Sequence, residues 1–350
     1  MTTHPKPEVM AQVAELAGRL TWKQPDLKVL REERNAEYSP LALALQNQIL
    51  LSDARGKLVL PDLRAFGNQS VGTFSDYGGE TASKFNTYST LVCGLNLIGP
   101  FSRRMNAVRA SHGLGDKEIA FKDFRMGQMR RALPDYLTAL NNLLPGFLCT
   151  LAVDKRFTSL FGPQAKSTKK QIAEALKAEG LGEWKPDVAE KLVRIVHLTS
   201  FLTTLLAHDG QKIFWMTDHD EICSNQDKHG KALTFFQRGL GIFARPNCKF
   251  PIIGGAVPFA ERSVEMLDLL SITDVVAGAL DQYLTKRDSA DVLVKEGADL
   301  VLQWLAHDGV GLKKLNLIMR PGGGGVITAG TLEFSLVNPP EGATIIPVVV

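Results

Sequence analysis

Apolar and polar positions begin to alternate near Val71. The run Val71-Gly-Thr-Phe-Ser-Asp76 has strand character and stops at Tyr77-Gly78-Gly79, a turn sequence. A second strand is expected over Phe85 to Leu95. Phe147 to Val153 (FLCTLAV) is a continuous apolar run, the pattern of a strand covered on both faces. Lys212 to Thr217 (KIFWMT) and a segment near Phe250 to Val257 supply two more strands. Between them the period becomes helical, over Phe101 to Ala110, Asp123 to Leu143, Lys228 to Phe243 and Leu267 to Leu284. Phe157 to His208 reads as two or three helices with little strand signal, and a further helix is expected over Ala290 to Ala306. The tail then turns β-like, with Pro321-Gly-Gly-Gly-Gly325 as a mobile linker.

A hairpin followed by helical crossovers predicts an α/β fold, a mixed sheet with helices on both faces. The expected organisation is a helical, amphipathic N-terminal extension over 1–69 and a main domain over 70–288. A helical insertion is expected at about 157–209, and a C-terminal helix with a β-rich extension over 289–350.

Composition narrows the setting more than the chemistry. The chain has 350 residues, 45% hydrophobic and 22% charged, with a net charge of +3, ordinary values for a soluble globular protein. The four cysteines, Cys93, Cys149, Cys223 and Cys248, form no CxxC pair and suit a reducing compartment. The N-terminus has no secretory pattern, and the most apolar helix, Leu192 to Ala207, is interrupted by Arg194 and His197. A cytoplasmic protein with no membrane partner is expected. No GxxxxGK loop, HExxH zinc spacing or GxSxG elbow is present.

The candidate chemistry lies in acids at places where a buried sheet presents side chains. Asp76 ends the first strand, Glu118 precedes the long helix, and Asp218 and Asp220 follow KIFWMT. Singly these read as a turn former, a first-turn acid and loop residues. Asp274 is different. On a helix it shares a stripe with Leu267, Leu270, Ala277 and Gly278, so it requires a polar or cationic partner. Oxygen ligands of this kind suit Mg2+ or Mn2+, and two such ions about 3.5–4 Å apart stabilise both oxygens of a phosphodiester displacement. Asp76, Glu118, Asp218 or Asp220, and Asp274 are therefore both the candidate metal ligands and the candidate catalytic residues. Water would be the attacking group. Lys122, Arg125, Arg130 and Arg131, close in sequence to Glu118, are candidate phosphate contacts.

Taken in order, these signals resemble a known family. They are strand–Asp76-Tyr-Gly-Gly, Glu118-Ile-Ala-Phe-Lys122, Leu151-Ala-Val-Asp-Lys155, Asp218-His-Asp-Glu221 and Leu270-Ser-Ile-Thr-Asp274-Val-Val-Ala-Gly278. The family is ribonuclease H-like and catalogued as domain of unknown function 3800, and the resemblance spans about residues 70 to 288. It implies a ribonuclease H-like mixed sheet and a magnesium- or manganese-dependent nuclease acting on DNA or RNA, with a link to phage defence or mobile elements. Of the usual first motif, Asp-Glu-Ser-Gly, only Asp76 carries over. Asp154 is a further candidate acid.

Two other readings stand beside this one. Asp218-His-Asp220 also resembles the nucleophile motif of haloacid dehalogenase-like phosphatases, in which the first Asp attacks phosphorus and the second is acid/base. Alternatively, the same scaffold binds a partner protein, a second copy or a nucleic acid through its terminal extensions without catalysis.

Overall fold

The computed structural model describes residues 27, 38–79, 82–162, 164–257, 263–288, 296–307, 309–322 and 327–334. Most of the expected N-terminal helical extension, the start of the 290–306 helix and the centre of the glycine run lie outside these residues.

The chain forms a seven-stranded mixed sheet flanked by helices. Strand β1 (Ser70–Gly78) pairs antiparallel with β2 (Phe85–Gly94), which pairs antiparallel with β3 (Gly146–Asp154). On its other side β1 runs parallel to β4 (Lys212–Thr217), and β4 parallel to β5 (Ile253–Ala256). Beyond β3 lie β6 (Leu312–Pro321), parallel to β3, and β7 (Ile327–Thr331), antiparallel to β6. The order across the sheet is β5-β4-β1-β2-β3-β6-β7.

Side chains alternate across β1, so its two faces serve two cores. Phe74 joins the cluster built with α2 (Gly99–His112), α3 (Gly127–Leu143), α7 (Val264–Asp288) and α8 (Ala298–Leu305). Val71 joins the opposite cluster, with α1 (Pro40–Ala54), α5 (Pro186–Leu206) and α6 (Gln226–Phe243). Helix α4 (Ala165–Ala178) packs outside α5.

Two expectations about organisation are corrected. The segment 157–209 is no peripheral insertion, because α5 is the crossover that returns the chain from β3 to β4. Leu192, Val196 and Leu202 are fully buried, and burial of each such side chain stabilises by roughly 1.5–3 kcal/mol. Hydroxyls that make this helix less apolar are satisfied inside it: Thr199, Thr203 and Thr204 donate to carbonyls four residues earlier. The two interruptions of its apolar pattern are also paired. Arg194 binds Glu190, and His197 Nδ1 lies 2.8 Å from Ser39 Oγ. The second correction concerns the boundary at 288. Hydrogen bonding of β6 to β3 makes the C-terminal segment part of the same sheet, and the glycine run connects the antiparallel pair β6 and β7.

Among the described residues no helix is long and apolar enough to cross a membrane.

Candidate functional site

The register of the sheet brings the first two acids together. Ser75 of β1 is level with Thr217 of β4, and the Asp218 N–H continues the ladder to the Ser75 carbonyl at 3.0 Å. Asp76 and Asp218 therefore stand abreast at the carboxyl ends of neighbouring strands, which lie about 5 Å apart. Both have the parity of Phe74 and Met216, so they face α7.

Helix α7 supplies Asp274 from that same face. Its Oδ2 accepts the Phe121 N–H at 2.6 Å, which is the polar partner required by its place on the apolar stripe. Phe121 opens a short 3-10 turn (Phe121–Arg125) and fits against Gly278, where an added Cβ would enter its ring. That contact explains the small residue one turn beyond Asp274.

Glu118 sits half-buried in the loop before this turn, and Arg109 of α2 holds the loop. The Arg109 Nη1 donates to the carbonyls of Gly115 at 2.8 Å and Lys117 at 2.9 Å. Its remaining donors bind Asp268 of α7, with Nε to Oδ2 at 3.0 Å. Tyr136 donates to the Asp268 carbonyl at 2.6 Å. One buried guanidinium thus ties the Glu118 loop to the helix that carries Asp274.

The four acids feel each other. Burial pushes the Asp76 carboxyl well above its usual value, and the charges of Asp218, Asp274 and Glu118 push it further. Asp274 is raised to about 6, first by burial and then, against the lowering by Phe121, by Glu118 and Asp218. Burial followed by Asp220 raises Asp218, and burial followed by Asp218 raises Glu118. Even so, among the described residues no group of three or more His, Cys, Asp or Glu side chains forms a ready-made metal cage. The acids share a field without forming a closed ligand set.

Asp76, Asp218 and Asp274 line a cleft of about 1360 Å³ at this end of the sheet. Asp220 does not. It binds Lys191 at 2.5 Å and accepts the Ile222 N–H at 2.8 Å. Asp154 is likewise occupied, held by Arg156 at 2.6 Å with its carboxyl lowered.

Of the four expected phosphate contacts only Lys122 lines the cleft. Arg130 pairs with Glu296, while Arg125 and Arg131 are exposed elsewhere. The cleft's other cations come from the far side: Lys155, Lys166, Lys169, Lys170, Lys191 and Arg194. The lysine cluster 166–170 is visible in the sequence, but nothing there tells that it faces the acids. Arg109 and Asp268 carry no sequence signal at all, since their pairing joins residues far apart in the chain.

No protein-family model matches the chain, and no curated protein or solved structure matches it either.

Proposed function

We propose that the protein is a metal-dependent nuclease with a ribonuclease H-like core, hydrolysing phosphodiester bonds of DNA or RNA. One contrast within the chain carries the reading. The other buried acids have cations: Asp268 has Arg109, Glu190 has Arg194 and Asp154 has Arg156. Asp76, Asp218, Asp274 and Glu118 have no ion pair among the described residues; the Lys122 charge lowers Glu118, Asp218 and Asp274, yet Asp76, Asp274 and Glu118 are still raised by burial and by the acids beside them. Unpaired carboxylates held together at a cleft are costly unless a cation joins them.

The all-oxygen donor set suits Mg2+ or Mn2+. Asp76, Asp218 and Asp274 would hold the ions, with Glu118 beside them. Bound there, the ions would neutralise the acids and supply Lewis acidity toward a phosphodiester. The protein's own part is positional. Phe121 and Arg109 fix the Asp274 carboxylate and the Glu118 loop, and the apolar core below excludes water from one side. The strand arrangement, with an antiparallel β1-β2-β3 followed by parallel β4 and β5, supports the fold assignment, as does the resemblance of the motifs. Asp218 is favoured over Asp220 as the ligand because it faces the cleft. A phosphatase using both aspartates loses its acid/base to the Lys191 pair.

The test is cleavage of single- and double-stranded DNA and RNA with Mg2+, Mn2+ or EDTA, run with wild type and Asp76→Asn. Metal-dependent cleavage that disappears in the folded variant is expected. Absence of both cleavage and Mn2+ binding in the wild type, or cleavage unchanged in Asp76→Asn, would refute the proposal.

A further inference from the structure

The cleft has two unlike walls. One carries Asp76, Asp218 and Asp274. The other carries Lys166, Lys169 and Lys170 of α4 and Lys155 from the end of β3, with Lys191 and Arg194 from α5 already paired to Asp220 and Glu190. Helix stability does not explain the lysines of α4. They occupy its first two turns, where no acid is present and where the helix dipole already disfavours positive charge. Their local partners offer little compensation. Lys170 and Glu174 are 3.6 Å apart and both mostly exposed, and Lys169 meets an Asp187 that is 85% exposed, pairs of the kind that contribute little. Lys166 is exposed and has no ion pair among the described residues.

Between the two walls the floor is aromatic. Tyr77, Tyr88 and Phe157 line it, and the Lys191 ammonium lies 5.2 Å from the centre of the Tyr77 ring. Tyr88 is buried beneath, while Tyr77 and Phe157 are part-exposed, and basic groups beside part-exposed rings suit a polyanion that also carries flat apolar groups. An unpaired nucleic-acid strand has that combination, because every base has a face to stack and every linkage a phosphate to neutralise.

We infer that the α4 wall is the track for a single nucleic-acid strand, with Lys166 and Lys170 on the phosphates next to the linkage that reaches the acids. This rests on the nuclease reading and moves the phosphate contacts away from Arg125 and Arg131 of the opposite side. Duplex of the same length binds less well, because its bases are hidden from the aromatic floor.

The experiment measures binding of a fluorescein-labelled 20-nucleotide DNA strand, as single strand and as duplex, in EDTA across a salt series. Cleavage of the same strand is followed in Mg2+. Lys166→Gln/Lys170→Gln should bind the single strand about tenfold more weakly at low salt, with a salt slope shallower by about 1.4 for two lost phosphate contacts. Its thermal unfolding and its Mn2+ binding stay as in wild type, since both lysines are exposed and apart from the acids. Wild-type cleavage with unchanged affinity and slope in the lysine variant would overturn the track while leaving the nuclease standing. Loss in Arg125→Gln/Arg131→Gln alone would put the track along the Phe121–Arg125 turn and α3. Tighter binding of duplex would overturn the single-strand assignment. A wild type that neither binds nor cuts the strand would sink both proposals together.

Discussion

Replacing Asp274 by Asn tests the electrostatics of the site without any substrate. The Asp274 carboxyl is raised from 3.8 to about 6, mainly by burial and then by the neighbouring charges of Glu118 and Asp218. A carboxylate shifted that far costs the folded state about 3 kcal/mol once it is ionised. The sign follows from proton counting. Between pH 3.8 and about 6 the folded form holds the proton that the unfolded chain has released, so stability falls as pH rises and levels off above 6. Asparagine carries no charge, and its side-chain oxygen can still accept the Phe121 N–H. Weakening that hydrogen bond costs about 1 kcal/mol. The variant should therefore be about 2 kcal/mol more stable than wild type near pH 8 in EDTA, with the gain gone near pH 3.5. Urea unfolding at the two pH values, followed by circular dichroism, measures the difference. Mg2+ should then stabilise wild type more than the variant. A variant that is less stable than wild type at pH 8, or whose difference from wild type is the same at both pH values, would show that the acids are compensated and that the reasoning is wrong.

Two substitutions away from the acids test how they are held. Arg109→Met leaves Asp268 buried without its cation and should cost about 3–5 kcal/mol in urea unfolding; Arg109→Lys should recover only part of that, because one ammonium cannot serve both the carboxylate and the two loop carbonyls. Gly278→Ala puts a methyl group into the Phe121 ring and should cost about 1–3 kcal/mol, with Mn2+ affinity falling as well, because Phe121 carries the N–H that fixes Asp274.

Much of the sheet was legible because its strands lie in unambiguous patterns. FLCTLAV is buried throughout as β3, and KIFWMT is β4 residue for residue. What misled was polarity inside a buried helix. Arg194, His197 and the threonines of α5 lower its apparent apolarity, but the threonines and Arg194 are satisfied within the helix and His197 by distant Ser39, so a core crossover resembles an insertion. The boundary at 288 failed for a related reason. Strand β6 follows a helix and a basic Lys313-Lys314 pair, and nothing local says that its partner is β3, more than 150 residues earlier. The strand-end positions of Asp76 and Asp218 and the apolar stripe of Asp274 can be read locally, and the structure brings these three to one cleft. Separating Asp218 from Asp220 required Lys191, which is 29 residues from Asp220. Of the cations near Glu118 in sequence only Lys122 lines the cleft, because nearness in sequence is not nearness in space.

The geometry of one strand end explains why the cleft has two characters. Asp76 and Tyr77 are consecutive, so the alternation of a strand sends them to opposite faces. Asp76 turns toward α7 and the other acids, and Tyr77 toward Tyr88 and Lys191 on the α5 side. The sheet ends just beyond them, at Gly78, so the cleft wraps over the edge and both faces open into one space. A single residue of slip in β1 would exchange the two, setting a tyrosine among the carboxylates and an aspartate against the lysines. Eight consecutive pairings with β2 and six with β4 fix that register. The same ladder that holds the core therefore also decides which face of the cleft carries the acids and which carries the tyrosine and the lysines.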